Sequence, residues 1–277
     1  MPADRIPASR SSTSGLPARS GLSAAGLALV LLAPGPLAAQ SGGGPDAAER
    51  EGSRPMVTDR PDFTESAVAV RRLQIEAGYT LTPDGATDDH RVGEVLLRIP
   101  AVDRLELRLG LPSWEGSGPP GIDEGFGDAS VGAKVELVRG GTTGRPRVAL
   151  LAGADLPVDD RGSEGAVPGA RLAASMPLSP RLGLAVNAGA ASSEDPAGRF
   201  AELVGSVALG LELGGGLGVY GELYGFERTG GRPADGFADA GVTWGLGPDL
   251  QLDARVAVPL DGDGEDFALG VGISARP

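Results

Sequence analysis

The side chains able to do chemistry in this chain form two groups. One is a set of charges carried on apolar, alternating segments: Glu76, Glu94, Glu106, Glu136, Asp155, Glu202, Glu222, Asp239 and Asp253, together with Arg98, Arg108, Lys134, Arg171 and Arg255. The other is the run "VTDRPDFTES" (57–66), where Asp59, Arg60, Asp62 and Glu65 crowd around Pro61 and Phe63. An ion on one face of an apolar strand must meet water or a counter-ion, because leaving it bare in apolar surroundings is very costly. Facing acidic and basic rows along a wet passage could orient a small solute. The same rows could equally salt-bridge one another and fill an interior. Both arrangements stay open at this level.

Catalysis and metal binding find little support. The chain has one histidine, His90, in a polar segment beside Asp88 and Asp89. A Ser–His acyl hydrolase would rest on that imidazole alone, so no catalytic residue and no enzyme activity are expected. Cysteine is absent, which rules out disulfides and thiolate metal sites. "DGDGED" (261–266) offers four carboxylates without the spacing of a calcium loop. It reads as a solvated loop, with weak cation binding at a cell surface as the alternative. "GLGVYG" (216–221) has dinucleotide-type glycines, but an alternating stretch follows where a helix N-terminus would be needed. No cofactor and no metal are expected.

The elements that carry these charges alternate with period two. In "LQIEAGYTL" (73–81) Leu73, Ile75, Ala77, Tyr79 and Leu81 share one face, and Gln74, Glu76, Gly78 and Thr80 the other. "RLELRLGL" (104–111) and "QLDARVAV" (251–258) repeat the pattern. This is a strand signal. It predicts strands near 72–82, 92–100, 103–112, 127–138, 146–156, 168–177, 181–191, 200–212, 217–226, 237–246, 249–259 and 266–275, about twelve in number and close to the ~10 residues of a tilted membrane strand. The connections alternate too. Tight turns such as "LSP" (178–180) and "GGG" (214–216) trade places with longer acidic loops at 82–90, 113–125, 158–165, 192–198, 227–236 and 261–266.

The expected fold is all-β, a transmembrane up-and-down antiparallel barrel of about 12 strands over 72–277, with its short turns and both termini in the periplasm. A secreted two-sheet sandwich is the rival, since alternation alone does not say which face meets water. Aromatic residues are scarce, so the membrane girdles are assigned to Tyr79, Trp114, Phe126, Phe200, Tyr220, Tyr224, Phe226, Phe237, Trp244 and Phe267.

Ahead of the barrel, Arg5, Arg10 and Arg19 precede the apolar "LSAAGLALVLLA" (22–33) and the small residues of "PGPLAAQ" (34–40), which reads as a cleaved export signal over 1–39. Its removal takes three of the 24 basic and one of the 37 acidic residues, leaving a net charge of −15. That balance argues against nucleic acid as a partner. Residues 40–56 read as a disordered linker, and 57–71 as a periplasmic segment. For 57–66 the first reading is a tether held by local ion pairs of Arg60 with Asp59 and Asp62. The sharper one is a plug that enters the periplasmic mouth and pairs with Arg108 or Arg255.

"TDRPDFTES", "RLQIEAGYTLT", "DRLELRLGLP", "GFGDASVGAKVEL", "LLAGADLPVDD" and the closing "LGVGIS" occur in that order from about Val57 onward. Together they resemble a bacterial family of outer-membrane transporters labelled for the MetA-pathway of phenol degradation. The resemblance implies an outer-membrane barrel in a Gram-negative cell that passes small, aromatic or hydrophobic, molecules. The partners it implies are outer-membrane lipids, the solute and the barrel-assembly machinery. The alternative is a non-transporting barrel with a structural or surface-binding role.

Overall fold

The computed structural model describes residues 56–84, 87–117, 124–140, 143–159, 162–196, 198–260 and 267–277. The export signal at 1–39, the linker except Met56, and the acidic run 261–266 lie outside the described residues.

Fifteen strands form one continuous antiparallel sheet: β1 (Gln74–Asp84), β2 (Thr87–Val92), β3 (Leu96–Val102), β4 (Leu105–Gly110), β5 (Trp114–Ser117), β6 (Glu124–Phe126), β7 (Ala129–Val138), β8 (Arg147–Leu156), β9 (Val167–Pro177), β10 (Leu182–Asp195), β11 (Gly198–Gly214), β12 (Leu217–Arg228), β13 (Asp235–Gly245), β14 (Leu250–Pro259) and β15 (Ala268–Ala275). The last strand pairs with the first, from Ile75↔Ala275 to Leu81↔Leu269, and closes the barrel. The closed ring has twelve strands. β2, β5 and β6 prolong β3, β4 and β7 beyond short breaks. At the first break, Gly93 takes a φ of 74° and both Gly93 N and Glu94 N donate to the Gly78 carbonyl (3.0 and 3.1 Å). Leu111 N→Val95 O and Gly127 N→Ser113 O, each 2.9 Å, hold the other two in step.

Two of the long connections are shorter than their polarity suggests. β1–β2 and β10–β11 run as paired strand to Asp84↔Thr87 and Asp195↔Gly198, well into segments expected to be loop. Past the bilayer a strand needs no apolar face, so the alternation vanishes although the backbone ladder continues.

Burial is inverted relative to a water-soluble protein. The largest fully buried side chains among the described residues are polar: Arg98, Lys134, Gln74, Glu76, Glu106, Glu136, Asn187 and Ser274. Leu107, Val131, Leu172, Leu223 and Val271 on the alternate positions are exposed. A sandwich core would bury the second set and wet the first. The sandwich reading fails, and the outward leucines and valines form a lipid-facing belt.

Candidate functional site

Inward positions on β1, β3, β4 and β7 build one wall of charge. Arg98 donates to Glu76 and to Glu106, at 2.9 Å in each case, and Arg108 donates to Glu106 at 2.9 Å. Arg98 and Arg108 are direct cross-strand partners, a like-charge pair that is destabilising unless anions lie between. Part of that anion is supplied by the N-terminal segment. Residues 57–71 lie inside the barrel, where Asp59 accepts from Lys134 Nζ at 2.8 Å, lies 3.3 Å from Arg98 Nε, and also pairs with Arg108. Glu65 accepts a forked pair from Arg108 at 2.9 and 3.0 Å.

This placement differs from the periplasmic tether expected from sequence. The segment cannot extend the sheet, so its backbone groups must find partners elsewhere. Lumen side chains supply them. Asp59 N donates to Glu76, Phe63 N to Glu222 at 2.7 Å, Ala69 N to Glu136 at 3.0 Å and Val70 N to Glu106 at 2.8 Å. Glu65 N and O both bond Asn187, at 2.8 and 3.0 Å, and Arg98 donates to the carbonyls of Val57 and Val68. Ser66 N→Asp59 Oδ1 (2.9 Å) ties the loop to itself, and Ala67 packs on Ala149, Leu151 and Ala173.

The remaining site residues sort as follows. Arg60 pairs with Glu94 (3.4 Å) and Asp253 (3.6 Å) rather than with its neighbour Asp59, whose carboxylate is held by Arg98, Arg108 and Lys134, or with Asp62. Arg255 pairs with Asp239 at 3.1 Å, on the adjacent strand, and so does not reach the segment as an ion-pair partner. Glu202 pairs with Arg228 at 2.6 Å. Asp155 is exposed and lines a cavity with Arg171. Gln74, Asn187, Ser206, Gln251 and Thr64 were missed as site residues, since charge was the criterion. Strand parity identifies all but Thr64, because each of the four occupies a position on the charged face.

Parity also corrects the aromatic assignment. Tyr220, Tyr224 and Phe226 share the parity of Glu222, and Phe237 that of Asp239, so they point inward rather than into a membrane girdle. Phe63 stacks on Tyr224 (4.4 Å, 15°) and meets Phe226 edge-on (5.5 Å, 77°), while Tyr224 stacks on Phe237 (5.0 Å, 16°). Phe200 faces Arg232 at 4.0 Å. Trp244 and Phe126 do face outward. Open space remains in the lumen beside the segment. A cavity of about 380 Å³ lies against Glu65, Arg108, Arg171 and Phe226, and another of about 380 Å³ against Phe63, Tyr224, Phe237 and Arg255.

The two segment aspartates titrate in opposite directions. For Asp59, burial pushes the carboxyl up, but Arg98, Lys134 and Arg108 outweigh it and hold it well below the usual range. For Asp62, burial and the nearby Glu222 raise the carboxyl well above its ordinary value. A raised carboxyl favours the docked segment while it is protonated, and that contribution is lost as pH rises through the docked value. Asp62→Asn should therefore slow amide exchange of residues 57–70 relative to wild type at about pH 8 and leave it unchanged at about pH 4. Equal exchange of the two proteins at the higher pH would contradict this assignment.

Residues 58–276 match the family described as "Putative MetA-pathway of phenol degradation". The chain belongs to this family. The match takes in the inserted segment from Thr58 as well as every strand of the barrel, so the family unit is insert plus barrel. No curated protein matches the chain. Two solved structures share the family member's fold. One is the COG4313 outer membrane channel from Pseudomonas putida F1, with TM-score 0.55 and 13% identity over 79% of this chain and 99% of that one. The other is the NanC porin, with TM-score 0.55 and 9% identity over 74% of this chain and 100% of that one. The fold is that of an outer-membrane barrel.

Proposed function

We propose that this protein is an outer-membrane channel for small molecules, aromatic or hydrophobic ones among them, exported by a cleaved signal at 1–39 and inserted among outer-membrane lipids by the barrel-assembly machinery. The observation that carries the reading is the inward aromatic ladder of Tyr224, Phe226 and Phe237, flanked by open volume inside a closed barrel. Phe63 and Phe237 stack on Tyr224, so the rings that border the open volume, Phe226 and Phe237, are the ones that offer an apolar surface to a passing ring. The ion-paired wall on β1, β3, β4 and β7 acts as the rigid side of the passage, and residues 57–66 act as a clasp across it.

A second reading has its own support. Several backbone N–H groups of the insert are held by lumen side chains, which suits a barrel that does not transport. Planar-bilayer recording of purified protein, folded as judged by heat-modifiable gel mobility, separates the two. The channel reading expects discrete conductance steps in potassium chloride, reduced by benzyl alcohol on the lumen side. If folded wild type and a variant lacking residues 57–66 both stay silent, the non-transporting barrel stands.

A further inference from the structure

Inward strand cations are matched to carboxylates with one exception. Arg98, Arg108, Lys134, Arg147, Arg228 and Arg255 each lie within 4.0 Å of an Asp or Glu. Arg171 on β9 has no hydrogen bond or ion pair among the described residues; its guanidinium carbon sits 4.7 Å over the ring of Phe63. The carboxylates around it are engaged elsewhere. Glu65 is taken by Arg108, and Glu222 by Phe63 N and Thr64. Asp155 lines the same cavity and acts on Arg171 through space, but its ladder partner is Val167, four residues from Arg171 along β9, and the two form no ion pair among the described residues.

Arg171 opens onto the first cavity described above, of about 380 Å³. The floor of that cavity is a row of glycines in register, Gly132↔Gly153↔Gly169; Leu151, Val167, Val204 and Phe226 form its apolar sides, and Glu65, Arg108, Asp155 and Glu202 also border it. The glycines are required there. A Cβ on Gly153 would stand 2.5 Å from the Val131 carbonyl oxygen, and one on Gly132 2.9 Å from that of Ala152. The bare row keeps the space beside Arg171 open. Arg171 thus carries a planar cation with no ion pair of its own among the described residues, beside Leu151, Val204 and Phe226, and the geometry that satisfies such a fork is a carboxylate.

We infer that Arg171 and this cavity form a binding site for a small aromatic monocarboxylate. The carboxylate takes the Arg171 fork, and the ring lies over the glycine row against Leu151, Val204 and Phe226. The Phe63 ring makes a cation–π contact with the same guanidinium without taking any of its N–H donors in a hydrogen bond. This deepens the channel reading by naming a solute class, but the binding itself does not depend on conductance.

The test is calorimetric titration of the detergent-folded full-length barrel with sodium benzoate and, separately, benzyl alcohol, which matches the ring without the charge. Wild type is expected to prefer benzoate. Arg171→Gln should weaken benzoate by about tenfold to a hundredfold, the range of a lost charge-assisted hydrogen bond, and leave benzyl alcohol unchanged. Arg171→Lys should fall between, keeping the charge without the fork. No benzoate binding by wild type, equal affinity for the two compounds, or an equal loss of both in Arg171→Gln would each overturn the site. The last result would leave Arg171 as a clamp on Phe63 only. Conductance recorded on the same samples separates the failures: benzoate binding without conductance removes the channel and keeps the site, and conductance without benzoate binding does the reverse.

Discussion

Removing residues 57–66 should raise the conductance of the barrel several-fold while costing it little stability. The deleted loop lies between the charged wall and the aromatic ladder and borders one open volume through Glu65 and the other through Phe63, so its loss enlarges both. The stability effect is the less obvious half. Asp59 and Glu65 leave with the loop, and Arg98, Arg108 and Lys134 lose two of their anions. Water enters the same space, however, and hydrates the three cations. Glu76 and Glu106 remain on the wall as partners for Arg98. The barrel ladder, closed from β15 to β1, is untouched. Single-channel recording together with thermal denaturation checks both halves. Unchanged conductance would mean that the segment is a passive tether to the lumen wall.

A single substitution within the loop should act more severely on docking than the deletion acts on the barrel. Asp59→Asn keeps the chain in place but removes the charge shared by Arg98, Arg108 and Lys134, all packed around it. The amide cannot neutralise three cations held in a space from which the loop excludes water. Stripping one partner from a buried ionic cluster costs about 3–5 kcal/mol. Against a docked segment this is a shift of roughly a hundredfold to several thousandfold in the docked-to-free ratio. The expected result is a conductance like that of the deletion variant and rapid amide exchange over 57–70. Wild-type protection of those amides would remove Asp59 from its central role. The pH dependence carries the sign of a depressed carboxyl: the contribution of Asp59 is full above its ordinary value and is lost as pH falls through the lower docked value. Strong acid should thus reproduce Asp59→Asn. Asp62, raised by burial and Glu222, works the other way. Docking should be tightest in mild acid, between the two transitions.

Much of this protein could be read from residue order because alternation is a local property. A strand turns successive side chains to opposite faces whatever its neighbours do. "RLELRLGL" therefore already separated Leu107 and Leu109 from Glu106 and Arg108, and the turn and loop lengths already alternated around twelve passes. The same parity would have placed Tyr224 and Phe226 inward with Glu222, had aromatic residues not been assigned to the membrane interface by type. The tertiary structure alone decided which charges meet. Asp59 and Lys134 are far apart in the chain, and they touch only because the closed barrel surrounds the segment that carries Asp59. Arg60 took Glu94 and Asp253 in place of its sequence neighbours, and Arg255 took Asp239 in place of the segment, for the same reason. Ion pairing is a through-space choice among every group that closure brings within reach. "VTDRPDFTES" announced charge without saying where the partners were; the lumen, assembled from strands throughout the barrel, supplied them.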